Sequence, residues 1–466
     1  MLLYLINPYN PLVSVVKSKA SRWNRYTVWK PLGLLVIAGL TPKEWKVSVF
    51  DENIERPDYA VLPVPDLVGI TAFTSQADRA YIIAGEFRQR GVPVVMGGIH
   101  ATMCPKEAGE YVNSIVTGEG ESVWEEVIND STSGRLKPLY AGEQISLHKA
   151  PIARHDLLAS GYRFGSIQTT RGCPLSCNFC SVTAFNGRHY RRRPIDLVMQ
   201  EYRSIREKLV LVVDDNFIGT RTDHIAHTKD LLRAIIASKI HKKWIAQVTI
   251  NFGDDEELLV LSAKAGCVGV FIGFESISTE GLEEIHKRFN IRKVQDIKAA
   301  IRRIHRHGIA VVGSFIIGLD IDKKHIGKDI ASAAQRYGLD ALNVMFLTPL
   351  PGTVLWNEMA AKDRIILKGF PHDWRYYTLT FPVARYNHLS WREMIAEKEA
   401  CYRSFYAYAG ILHRVWRSVL QLRNPFVTLI SNMWYRINTL RLDRTAYQGF
   451  DVTPGEASVQ SNEVAV

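Results

Sequence analysis

Cys173, Cys177 and Cys180 stand in TTRGCPLSCNFCSV as a CX3CX2C triplet, inside a glycine- and proline-containing loop that follows a strand-like run. That spacing lets three thiols converge on one site, and thiolates are soft ligands suited to iron and sulfide. Three cysteines serving a four-iron, four-sulfur (4Fe-4S) cluster leave one iron without a protein ligand. The amino and carboxylate groups of S-adenosylmethionine (SAM) can chelate that iron. An electron from the reduced cluster can then cleave the sulfonium carbon–sulfur bond and give a 5′-deoxyadenosyl radical, the cofactor carrying the chemistry and the protein positioning it. CNFC alone also reads as half a zinc site or a redox dithiol, but zinc needs further ligands and no second CX2C pair exists. Cys104, Cys267 and Cys401 are scattered and read as small buried hydrophobes.

A strand-like run precedes the triplet, and the alternation of strand and helix then continues through runs at 166–169, 209–213, 245–250, 268–274, 310–317 and 341–347. Six such units predict a partial (β/α)6 barrel over 165–355, with function at the C-terminal ends of its strands. Ahead of it, β-branched runs at 2–6, 47–50, 67–71, 92–96 and 114–116 alternate with helical stretches and predict an α/β domain over 1–140. This would be a doubly wound, Rossmann-like parallel sheet with helices on both faces. Its runs end in GITAFTSQ, GGIH and TGEGE, at the carboxyl ends where such sheets bind ligands. Residues 141–164 read as a linker and 356–450 as a mostly helical substrate-side region, convincingly helical from Ser390 to about Tyr408. The interval 410–442 mixes Trp416, Phe426, Trp434 and Tyr435 with Arg414, Arg417, Arg423, Arg436 and Arg441. It either packs against the barrel, the plainer reading, or lies on a membrane interface. From 451 to 466 the chain reads as a disordered tail.

With 466 residues, two or three domains are expected, and 47% hydrophobic with 23% charged residues is the composition of a folded globular protein. The longest apolar stretches fall short of the roughly 20 residues that cross a bilayer. MLLYLINP has no basic leader or cleavage site, and six cysteines, three of them clustered, suit a reducing compartment. A cytoplasmic location is expected, peripheral at the membrane if 410–442 lies there. The net charge is +11 and the densest basic cluster is RHYRRRP at 188–194, which lacks the interleaved aromatics of an RNA platform. It reads as a solvated face or a local phosphate contact, and no nucleic-acid partner is expected.

The chain resembles radical SAM enzymes that carry an N-terminal cobalamin-binding domain, methylases of the hopanoid methylase-like kind in particular. The resemblance spans nearly the whole length and rests on the cysteine loop, on Phe179 between the last two cysteines, and on GRHYRRRP, VVDDNFIG, GVFIGFES, GSFIIGLD and LTPLPGT. It implies that Phe179, Asp214, Asp215, Asn216, Asn251 and Glu275 approach SAM, and that Gly313, Gly318, Pro349 and Gly352 shape the backbone around its adenosine. It implies a cobalamin edge formed by Thr71, Thr74, Ser75, Gly97, Gly98, His100, Gly118, Glu119 and Gly120. The DxHxxG motif of many cobalamin proteins is absent, and His100 does not fit it.

The implied activity is cobalamin-dependent methylation of an unactivated carbon, with one SAM making the radical and a second remethylating cobalt. The substrate is expected to be a hydrophobic lipid or isoprenoid-like molecule or a natural product, and the electron donor a ferredoxin or flavodoxin. The alternative is a radical carbon–carbon bond-forming, cyclising or rearranging enzyme whose N-terminal domain does not use cobalamin for methylation. A tRNA methylthiotransferase would need a further cysteine cluster and an RNA module, and a cobalamin sensor would not need the cysteine triplet.

Overall fold

A computed structural model describes residues 1–10, 12, 30–158, 161–291, 297–421, 425–442 and 446–456. The chain divides into two compact units: Met1–Arg171 with Ala184–Leu211 and Gly369–Tyr377, and Gly172–Thr183 with Val212–Lys368 and Thr378–Val466.

The first unit is built on six strands: β1 (Leu2–Asn7), β2 (Lys46–Asp51), β3 (Leu67–Thr71), β4 (Val94–Gly97), β5 (Ser114–Thr117) and β6 (Leu139–Ala141). They pair in parallel in the order β2-β1-β3-β4-β5-β6. The first five follow the flavodoxin-like doubly wound order, whose topological switch point lies between β1 and β3. β1 is apolar on both faces because both are covered. Leu3 and Leu5 pack with Leu34 and Ala38 of α1 (Leu32–Leu40) and with Trp124 and Val127 further along the chain. On the opposite face Tyr4 meets the edges of Phe50 and Phe87, the latter on α2 (Ala77–Gln89). β6 lies in the stretch around the expected linker, and its three residues extend the sheet beside β5.

A second six-stranded sheet runs β14-β13-β12-β11-β10-β7, from β7 (Gly165–Ile167) through β10 (Leu209–Val212), β11 (Lys243–Val248), β12 (Cys267–Glu275) and β13 (Ala310–Ile317) to β14 (Ala341–Phe346). This is the expected parallel barrel sheet, and between β7 and β10 a small antiparallel hairpin joins β8 (Thr170–Arg171) to β9 (Arg191–Arg192). From Val270 to Phe274 of β12 and from Val311 to Phe315 of β13, burial alternates residue by residue. Val270, Ile272, Phe274, Val311 and Phe315 are fully buried, while Phe271, Gly273, Val312 and Ser314 stay half-exposed on the other face. The buried face is the one that helices cover, since Phe274 packs on Tyr337, the last residue of the Ile326–Tyr337 helix.

The C-terminal region is helical. The Trp391–Phe405 helix starts at Ser390, whose hydroxyl accepts from Glu393 N while the Glu393 carboxylate accepts from Ser390 N, a reciprocal capping box. Two further helices, Tyr408–Leu420 and Pro425–Ile437, pack side by side. Within the stretch expected to be a tail, Thr453–Glu456 form a helical turn with Gly455 against Trp391. Arg423 and residues 457–466 lie outside the described residues.

Candidate active site

In the first unit the carboxyl ends of β3, β4 and β5 gather Thr71, Ser75, Gly97, Gly98, Gly118 and Gly120, all partly exposed. Gly98 has φ +89°, and a Cβ there would lie 2.5 Å from Thr71 Oγ1, so only glycine permits this turn. Phe73, which sequence reasoning passed over, stands at the same end and is 63% exposed. Next to it Thr74 is buried, and Gln76 braces the switch point by donating to Asn7 Oδ1.

Two residues expected at this edge are held elsewhere. His100 is fully buried: its Nε2 lies 2.8 Å from the Tyr81 hydroxyl and 3.5 Å from Glu107, which also accepts from Tyr81 and Trp374. It points into this network because it follows a β4 end that turns directly into the Gly98–Met103 helix. Glu119 is the hub of an ion-pair cluster. Its carboxylate accepts from Arg191 and from Ile145 N and lies 3.1 Å from Arg171, which also binds Glu121 at 2.7 Å. Burial raises the Glu119 carboxyl's pKa, but Arg191 and Arg171 outweigh it and hold the group below its ordinary range.

The same cluster corrects the reading of RHYRRRP as a solvated face or phosphate contact. On the short β9 strand and just beyond it, Arg191 and Arg193 face inward, to Glu119 and to the buried Glu201, while Arg192 is exposed. Strand alternation sorts a run of like charges into an internal and an external set.

In the second unit the three thiols are half-buried in the loop after β8, none of them in a disulfide. Burial pushes Cys173 up to about 11 and Cys177 up to about 12, and the nearby Lys287 ammonium opposes both shifts. The three cysteines lie within electrostatic reach of one another, and of Asp215, Glu275 and Lys287. Among the described residues no three His, Cys, Asp or Glu side chains are arranged to hold a single metal ion.

Glu275 ends β12 at φ +66° after a register shift, and its Oε1 accepts from Lys287 Nζ at 2.7 Å, both groups being buried. A Cβ on Gly273 would lie 2.2 Å from Glu275 Oε1 and 2.8 Å from Lys287 Nζ, so the glycine makes the room for this pair. Glu275 Oε2 is buried without a hydrogen-bond partner. Glu275 and the thiols keep Lys287 protonated above the usual lysine range although burial works against it. Lys287 was missed at sequence level; its signal was a lone lysine a short distance after GFES.

Asp215 accepts from Gly172 N at 2.8 Å and so ties the β10 end to the root of the cysteine loop. Asn216 and Asn251 meet through Thr249, and Asn216 Oδ1 is a second buried oxygen without a partner. Asp214 and Pro349 are buried, and Phe179 is half-buried in the loop itself. Gly313 faces the helix layer, where a Cβ would lie 2.3 Å from Leu339 and 3.2 Å from Phe274. Its neighbour Ser314 lies on the other face, in register with Gly273 and Asn343. Gly318 at φ +109° is packed against Met394 and Tyr386.

Residues 167–349 match the radical SAM superfamily and residues 20–128 match the B12 binding domain. The bacteriochlorophyllide d C-12(1)-methyltransferase of Chlorobaculum tepidum is 31% identical over 348 residues, 72% of this chain and 74% of that protein. The chain belongs to the cobalamin-dependent radical SAM methyltransferase family. The hopanoid C-2 methylase of Rhodopseudomonas palustris is another relative, 28% identical over 72% of this chain and 65% of that one. The cobalamin-dependent SAM radical enzyme OxsB with aqua-cobalamin shares the fold at TM-score 0.67 and 17% identity, over 99% of this chain and 75% of that chain. As a family member the enzyme uses a 4Fe-4S cluster, SAM and cobalamin, and needs a reductant. The half-buried thiols and the two unpartnered oxygens, Glu275 Oε2 and Asn216 Oδ1, fit the cluster and a polar, cationic ligand beside it. Of the two enzyme readings made from the sequence, the methyltransferase is the one these relatives support. Among the described residues no helix is long and apolar enough to cross a membrane.

Proposed function

We propose that the enzyme methylates an unactivated carbon of a large hydrophobic substrate, a lipid, isoprenoid or polycyclic natural product. The observation that carries this reading is one chain holding both a three-thiol loop and a B12 binding domain. When bound, the cofactors supply a 5′-deoxyadenosyl radical that removes a substrate hydrogen atom and a methyl group that replaces it, consuming two SAM.

Cys173, Cys177 and Cys180 hold the cluster. Glu275 offers its unpartnered oxygen to the SAM ammonium, Asn216 and Asn251 offer amide groups to its polar atoms, and Lys287 supplies a buried positive charge beside the thiolates. Thr71, Phe73, Ser75, Gly97, Gly98, Gly118 and Gly120 form the edge that receives cobalamin. The open face of the barrel sheet supports the hydrophobic substrate class: Phe271, Val312 and Met345 are half-exposed there, with Ser314 and Asn343 as polar handles. Relatives named for a bacteriochlorophyllide and a hopanoid point the same way. We propose a ferredoxin or flavodoxin as the reductant, and the reducing cytoplasm suits a thiolate-held cluster.

Anaerobic reconstitution followed by SAM turnover under reducing conditions tests the assignment. Methylation yields 5′-deoxyadenosine together with S-adenosylhomocysteine, and the absence of the second product overturns it. Cys177→Ala is expected to lose the cluster's visible absorbance and deoxyadenosine formation together.

A further inference from the structure

The Tyr408–Leu420 and Pro425–Ile437 helices are amphipathic the wrong way round for a protein in water. Their inward faces are largely polar: Arg414, Ser418, Thr428 and Asn432 are all buried, with Ile411 the buried apolar residue of the first helix. Arg414 Nε donates to Asn432 Oδ1 at 2.8 Å and its Nη2 to Phe405 O at 2.9 Å, while Asn432 Nδ2 donates to Asp340 O at 3.0 Å. This network fixes the rotation of both helices, because turning either outward would leave a buried guanidinium or amide unpaired.

Most of the large apolar side chains are consequently turned outward. Leu412, Trp416 and Leu420 lie at successive i, i+4 positions and are 66%, 61% and 65% exposed; Phe426, at 66%, begins a second stripe with Leu429 and Ile430. Six large side chains on two paired helices make a patch that water alone does not explain.

Charge decides what covers it. Residues 401–442 contain six arginines and no aspartate or glutamate. A second copy of the chain docking face to face would bring two stretches of like net charge together. An anionic lipid surface supplies apolar depth and a charge opposite to that of the stretch, with Trp and Arg suited to the headgroup level.

We propose that this helical pair is a monotopic membrane anchor, lying in the interface of an anionic bilayer without crossing it. The anchor does not depend on the methyltransferase reading, since it concerns a different face and is tested without turnover.

The test uses the purified full chain and sedimentation with vesicles of phosphatidylcholine alone or with about 30% phosphatidylglycerol. Wild type is expected to bind the anionic vesicles at least about tenfold better than the neutral ones. Leu412→Glu with Trp416→Glu, both at exposed positions, is expected to lower that binding at least about tenfold with an unchanged circular dichroism spectrum and melting midpoint. Trp416→Phe is expected to keep the binding while weakening fluorescence quenching by bromine-labelled lipid. Three results would overturn the anchor: no binding to anionic vesicles, equal binding to neutral ones, or full binding by the folded double-glutamate variant. So would a dimer in light scattering that the same variant dissolves while wild type ignores vesicles.

Discussion

Glu275 and Lys287 show how much chemistry one backbone irregularity can place. A register shift and a positive φ at the end of β12 turn a carboxylate over a glycine, where it meets a buried ammonium beside the cysteine loop. Glu284, also near that loop, behaves differently. It borders a cavity of about 200 Å³ lined by Asn178, Asp320, Glu358, Lys362 and Arg364. Burial raises its carboxyl to about 7 from an ordinary 4.5, opposed by the hydrogen bond from Asp320 N and by Arg364 and reinforced by the Asp320 and Asp322 charges. Because the folded state binds this proton more tightly than the unfolded state, the associated stability is fully present below about 4.5. It is lost as pH rises through about 7. Glu284→Gln keeps an acceptor for Asp320 N and cannot ionise, so the variant is expected to gain on wild type between about pH 5 and about pH 8. Urea unfolding at both pH values checks this; parallel pH profiles for the two proteins would contradict it.

At the level of elements, strands were far more legible than helices with unusual faces. The runs at 67–71 and 310–317 coincide with β3 and β13 because short β-branched segments bounded by turns have few alternatives. β6 escaped notice because it has three residues and a single neighbour, and β8 with β9 because two-residue strands carry no period. The Trp391–Phe405 helix announced itself through Ser390 and Glu393. Ser390→Ala is expected to cost about 1 kcal/mol, seen as a lower urea midpoint with an unchanged slope. The helices at 408–420 and 425–437 hid their role because helical periodicity gives a stripe without saying whether core, water or lipid lies against it.

For the molecule as a whole, the charge of +11 is a long-range property that survives the internal use of Arg171, Arg191 and Arg193 in ion pairs. It favours an acidic reductant through electrostatic steering. Cluster reduction by flavodoxin, followed by stopped flow, is expected to slow several-fold between about 50 and about 300 mM salt. A salt-independent rate would remove charge from the account of donor choice. The sequence by itself determined the radical chemistry and the two-part α/β architecture. A CX3CX2C loop and a strand-helix rhythm are local patterns, complete within short windows of chain. Only the tertiary structure decided which of the expected side chains stand at an open edge. It buried His100 in a network with Tyr81 and Glu107, bound Glu119 to two arginines, and turned Gly313 toward the helices. Each of those outcomes depends on partners tens to hundreds of residues away or on which face of a strand the helices cover. No local pattern carries that information.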